Sequence, residues 1–344
     1  MRATLAAFVL LFLAPAGGVV QDTLPASLPD REFWALTAQL SEPDGYFRSN
    51  SGSPDNLLSN ESTVSVMAAA LAERVKSGGV YLGVGPEQNF TYIAAMRARM
   101  AFITDIRRGN LHLQLLYKAV FELSADRVEF ISRLFSRKRP GGLPKTSSAS
   151  RLFDAYLAAE PVTEEVFRSN LNAVTNHLTK THQLPLNAED LQGIEYVYRH
   201  FHKFGPAIDY VSSIRGTASG AAGSYARIQS AVDSNGVERT YLATDEAFAF
   251  VKSLQSRNLI VPVVGNFAGS HALRAIGVYV RSHGATVGAF YVSNVEQYLQ
   301  RSGVMAAFCA NVASMPLDTN SVFIRPGSRG GTLDSMAAEA SRCR

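Results

Sequence analysis

The residues best placed to do chemistry gather in GGVYLGVGPEQNFTYIAAMRARMAFITDIRRGN, residues 78–110. Gly83, Gly85 and Pro86 break an apolar run sharply, and an acid, Asp105, closes the next apolar run. Glycines at a strand end let a ligand approach the backbone, and a following helix offers free N–H groups at its N-terminus. Asp105 lies 22 positions after Gly83, close to the ~20 expected of a carboxylate that grips a ribose hydroxyl. On this reading Gly83, Gly85, Pro86 and Asn89 hold the ligand and Asp105 holds its sugar. The plainer alternative is an ordinary βαβ unit whose glycines only turn the chain and whose Asp105 is a solvated strand end.

Glu87 and Glu296 are the acids to consider for acid–base work, because each follows the C-terminal end of an expected strand. That is the edge where open α/β sheets bind ligands. Tyr291, Ser293 and Asn294 fall on the same edge. Both acids also suit helix N-termini, where a carboxylate complements the dipole. The seven histidines form no known metal spacing. His200 and His202 lie about 200° apart on a helix, and His177 and His182, five apart, pair poorly there. No G-x-S-x-G elbow and no phosphate-cradling G-x-x-x-x-G-K-[ST] loop occur, and the Ser219, Gly220 and Ser224 segment has no histidine partner.

These residues need elements to position them. Strands are expected over 80–84, 101–105, 259–264, 286–292 and 321–325, alternating with helices of period 3.6. A Thr244 cap starts a helix to about 255, and Asp30 caps one to 40. Residues 41–60 read as a long loop, either a lid or a connector, and 233–236 as a hairpin turn between strands at 225–231 and 238–243. Residues 140–150 (PGGLPKTSSAS) read as a flexible break. The fold class is therefore α/β, an open, mostly parallel Rossmann-like sheet with a helical insertion. Its parts are N-terminal helices and a loop (27–77), the first half of the sheet domain (78–123), the insertion (124–215), the second half (216–326) and a flexible tail (327–344).

At 47% apolar and 18% charged residues with a net charge of +4, the chain is an ordinary globular protein. A small-molecule ligand is expected as partner. Nucleic acid is not, because the basic residues are scattered except at Arg133, Lys138 and Arg139. Arg2, the apolar stretch 3–13 and Ala14-Pro15-Ala16 read as a signal peptide over 1–16, cleaved there or as late as about 26. An exported protein without a membrane span would remain. Cys309 and Cys343 would both survive cleavage, and a disulfide is permitted although Cys343 falls in the expected tail. The sequons at Asn60 and Asn89 read as chance matches.

In the order of its parts the chain resembles class I S-adenosylmethionine-dependent methyltransferases. The likeness rests on residues 80–85, on Asp105, and on Asn266-Phe267 after the strand at 259–264, and it covers about half the chain. It implies that S-adenosylmethionine is the cofactor, that Asp105 binds its ribose, and that Asn266 lies at the acceptor site. The chain departs from that pattern at Glu87, where a third glycine is usual, and at Tyr81, where an acid is common. These departures imply a loop reshaped for another ligand or one that no longer binds any. The alternative function is a non-catalytic, exported Rossmann-like binding protein. Export also sets the chain apart from a cytosolic cofactor. FWALTAQLSEPDGYF, SNES, GVYLGVGPEQNFTYIAA and FITDIRR further resemble an uncharacterised bacterial group.

Overall fold

The computed structural model describes residues 23–46, 56–218, 223–327 and 330–343. The expected leader over 1–16 lies outside the described residues, as do Ser219 and Gly220 and part of the 41–60 loop. In chain order the elements are α1 (Asp30–Leu40), α2 (Val64–Arg74), β1 (Val80–Gly83), α3 (Gln88–Ala95), β2 (Met100–Asp105) and α4 (Arg108–Leu123). A helical block follows: α5 (Arg127–Phe135), α6 (Ala149–Leu157), α7 (Glu164–Asn176), a π-helical turn at His177–Thr181, α8 (Ala188–Phe204), α9 (Ser212–Arg215), α10 (Tyr225–Gln229) and α11 (Asp245–Ser256). The chain ends with β3 (Ile260–Val264), α12 (Ala272–Ser282), β4 (Val287–Tyr291), α13 (Val295–Arg301), α14 (Met305–Ala313), β5 (Val322–Arg325), β6 (Thr332–Ser335) and α15 (Met336–Ala340).

The six strands form one sheet in the order β3-β2-β1-β4-β5-β6. The first five run parallel, and β6 runs antiparallel to β5. β1 to β4 are buried at every residue, as expected of a parallel sheet covered on both faces. That is why they read as unbroken apolar runs rather than alternating ones. Right-handed crossovers to either side of β1 place helices on opposite faces. Accordingly α3 packs with α2 and α11, whereas α12 packs with α1 and α14.

The helical block rests on α4 through α5 and α8. Phe90, Phe121, Phe130, Tyr241 and Phe248 interlock at its base with ring centroids 4.4–6.1 Å apart. The buried Arg127 guanidinium ties three segments together. It donates to Asp245 Oδ1 (2.6 Å), the Leu242 and Ala243 carbonyls (2.8 and 2.9 Å), the Ser147 carbonyl (2.6 Å) and the Lys145 carbonyl. The 140–150 stretch is therefore not a free break, because the carbonyls at its C-terminal side are anchored to Arg127.

Two other expectations are corrected. Residues 225–229 are helical, and only an isolated Val232–Glu238 bridge remains of the expected hairpin. The expected tail supplies β6 and α15, and Cys343 forms a disulfide with Cys309 of α14. No helix among the described residues is long and apolar enough to cross a membrane.

Removing the Arg127 side chain strands several buried carbonyls at once. Arg127→Ala should cost about 3–5 kcal/mol, the range for breaking a buried charged network, read as a lower urea midpoint. A loss under ~1 kcal/mol would show that the carbonyls find other partners.

Candidate functional site

At the C-terminal ends of β1 to β4 the chain encloses a cleft of about 350 Å³. Its floor is Val84, Gly85 and Pro86 after β1, Asp105 ending β2, Gly265 and Asn266 after β3, and Tyr291 and Ser293 around the end of β4. The walls come from Asn56 to Glu61 on one side and α13 with Val304 on the other. The strand order reverses between β1 and β4, so the cleft lies where the flanking loops diverge.

Gly85 lines the cleft at φ +76°, and a Cβ there would approach Asn56 Nδ2 to 3.1 Å. Gly85 and Pro86, expected to hold the ligand, both line the cleft. Gly83 differs: a Cβ on it would sit 1.9 Å from Asn89 Oδ1, so it makes room for a side chain and not for a ligand. Asn89 is itself fully buried. Its Nδ2 donates to the Val84, Gly85 and Pro86 carbonyls at 3.0, 3.2 and 2.7 Å, while its Oδ1 accepts from Tyr81 at 2.7 Å. Asn89 thus pins the loop from beneath and does not reach the cleft, and burial also closes its sequon.

Asp105 lines the cleft, but its Oδ1 accepts from the Arg107 backbone N–H at 3.0 Å and from Arg107 Nε at 3.2 Å. It is buried rather than solvated. Asn266 also lines the cleft; its N–H donates to Glu42 Oε2 at 2.9 Å, and its Oδ1 accepts from the Ala268 N–H at 2.9 Å.

Neither expected acid stands in the cleft. Glu296 pairs with Arg325 at 2.6 and 2.8 Å, in a cluster with Asp334 and Glu339 that fastens β6 and α15 to the sheet. Glu87 is fully buried behind the floor, where its carboxyl accepts from the Ser59 N–H at 3.1 Å and Gln229 lies beside it. Burial pushes it up to about 8, partly offset by the backbone N–H groups of Glu87 and Ser59.

Tyr291 is in the cleft, and it leads to an acid that sequence reasoning missed. Its hydroxyl donates to Glu61 Oε1 at 2.5 Å, and Ser293, held at φ +48°, donates to the same oxygen at 2.7 Å. Glu61 Oε2 is buried and has no hydrogen-bond partner among the described residues. Burial pushes the Glu61 carboxyl up to about 7, against the lowering effect of the Tyr291 and Ser293 hydrogen bonds. A carboxyl poised there can take or give a proton near neutral pH. The available signal was SNES at 59–62, which reads by itself as a helix start.

Residues 57–341 match the model of a family described as "Domain of unknown function (DUF7790)". The chain belongs to this family. The matched span holds all six strands and Glu61, Glu87, Asp105, Asn266 and Tyr291. No curated protein matches the chain.

Burial of Glu87 has a pH signature. Its folded value of about 8 exceeds the ordinary 4.5, so the folded state holds a proton that the unfolded state releases. This contribution to stability is full below pH ~4.5 and is lost as pH rises through ~8. Glu87→Gln imitates the neutral acid and should flatten the decline in melting temperature between pH 5 and 8.5. An unchanged slope would place the titration elsewhere.

Proposed function

We propose that the cleft binds an adenosyl ligand of the S-adenosylmethionine type and that Glu61 serves there as the proton-handling group of a methyltransferase-like enzyme. The observation that carries this reading is the unpartnered Glu61 Oε2 within a cleft floored by the Gly85 turn and Asp105. The strand order supports a Rossmann-like scaffold, with the departure that β6 runs antiparallel.

The residues present fit such a group. The volume lies within the range of small-ligand pockets, and Phe267, Tyr291 and Tyr298 give aromatic walls. Gly85 leaves room that a Cβ would narrow. Among the described lining residues Arg107 is the one cation, against Glu61 and Asp105, a balance that suits a sulfonium better than a polyphosphate. Asp105 would hold the ribose by exchanging part of its bonding to Arg107. When bound, the cofactor supplies an electrophilic methyl group. The chain itself orients an acceptor against that group, excludes water and removes the acceptor proton at Glu61 Oε2, with Tyr291 and Ser293 holding the other oxygen.

The Cys309–Cys343 disulfide favours a second reading, an exported binding protein without catalysis, because such bonds persist in oxidising compartments.

Calorimetry with S-adenosylmethionine separates the two readings. One equivalent should bind, tightening roughly five- to tenfold between pH 6 and 8 as Glu61 ionises beside a cation, the ~1 kcal/mol scale of one charge pair in a wet site. Glu61→Gln should retain binding and lose the pH dependence. Gly85→Ala should weaken binding, because it narrows the floor at a positive φ. No heat from folded wild-type protein would defeat the adenosyl reading.

A further inference from the structure

At the far end of α4 from the cleft, three side chains from distant parts of the sequence converge. Glu122 Oε2 lies 2.6 Å from His177 Nε2 and 2.5 Å from His182 Nε2. The two histidines meet because residues 177–181 are π-helical. The His182 N–H reaches the His177 carbonyl at 3.0 Å, a bond spanning five residues. A five-residue spacing that diverges on an α-helix thereby falls on one face, and such turns recur at functional sites.

A second layer of hydrogen bonds holds these groups in place. His182 Nδ1 lies 2.6 Å from Asp30 Oδ1, which also accepts from Asn258 Nδ2 at 2.8 Å. Asn258 Oδ1 in turn accepts from Lys118 Nζ at 2.5 Å, and Lys118 donates to Glu122 Oε1 at 2.7 Å. Each outer contact fixes a donor: Asp30 sets the tautomer and tilt of His182, and Lys118 leaves Glu122 Oε2 facing the rings. Carboxylate–histidine contacts of this kind hold the ligands of metal sites. The side chains are 7%, 17% and 12% exposed for Glu122, His177 and His182, so the cluster is nearly closed yet reachable.

We propose that Glu122, His177 and His182 bind one divalent transition-metal ion of the zinc class, with a fourth position left for water. Two imidazoles and a carboxylate are a borderline donor set that suits zinc over calcium or magnesium. Bonds of ~2.0 Å at tetrahedral angles separate ligands by roughly 3.3 Å, so each Glu122–histidine separation must open by under ~1 Å. About 20 Å of helix at 1.5 Å per residue lies between this site and the cleft, and the ion therefore clamps α1, α4 and the π-turn together. It takes no part in cleft chemistry.

The test uses the full chain, stripped of metal and titrated with Co(II) and Zn(II). One equivalent of Co(II) should bind with the visible absorption of a low-coordinate site bearing nitrogen ligands, and Zn(II) should displace it and raise the melting temperature. His177→Gln and His182→Gln, checked for folding by circular dichroism, should each lose more than 100-fold in affinity. Asp30→Asn should lose 10–100-fold, the usual outer-contact effect. The proposal is overturned if the wild-type protein takes up no metal against a weak chelator, or if folded histidine variants bind as well as wild type. Should both histidine variants unfold, the wild-type cobalt spectrum and the Asp30→Asn affinity still decide.

Discussion

Three consecutive carbonyls just after β1 converge on one amide in the protein interior. The Asn89 Nδ2 group donates to all three, and the Tyr81 hydroxyl, from β1 itself, donates to its oxygen. Buried carbonyls without partners cost about 1–3 kcal/mol each, so the turn has little freedom once Asn89 is in place. Gln88 and Gln114 add bonds to the Val84 and Gly85 carbonyls. Everything that makes the cleft depends on this turn: the direction of α3, the positive φ at Gly85 and the space above it. Gly83 belongs to the same device, because any side chain there would collide with Asn89.

The cleft pays for its acids in burial. Glu61 and Glu87 are both raised by burial, and the Glu61 charge adds a minor raising effect at Glu87. Their hydrogen bonds only partly compensate. For Glu87, whose partner is the Ser59 N–H, the outcome is a neutral acid that fixes the segment leading to Glu61. For Glu61, one oxygen is saturated and the other unpartnered. Two carboxyls of the same type therefore differ in role because one faces packed protein and the other a cavity.

The sheet was legible because burial on both faces writes strands as plain apolar runs, and the glycine turn after residue 82 marked the first crossover. Gly85, Pro86, Asp105 and Tyr291 could be placed at the sheet's C-terminal edge from strand ends, and Asn266 from the methyltransferase resemblance. Glu61 could not, since its role depends on Tyr291 and Ser293, some 230 residues away. Glu296 was misplaced for a related reason: the Arg325 that claims it lies on β5, stabilised by a C-terminal segment whose composition resembles a tail. Periodicity also assumes the α-helical 3.6. The π-turn at His177–Thr181 breaks that assumption locally and brings together residues that the usual helical wheel holds apart.

Charge narrows the class of ligand further. A helix N-terminus at the C-terminal edge of a sheet ordinarily attracts phosphate, and two such ends border this cleft. At α3 the Pro86 residue has no N–H to offer, and Glu87 occupies the N-cap. At α12 the Glu42 carboxylate accepts from the Asn266, His271 and Ala272 N–H groups at 2.9–3.0 Å. Gly269 leaves the space in which that carboxylate sits. At α12 the first N–H groups are thus served by an acid of the chain itself, and a phosphate arriving there would meet negative charge in place of open donors; at α3 the buried, neutral Glu87 adds no such charge. The proposed adenosyl ligand carries no phosphate and meets no such conflict. The self-capping of α12 therefore supports the proposed adenosyl ligand over a dinucleotide.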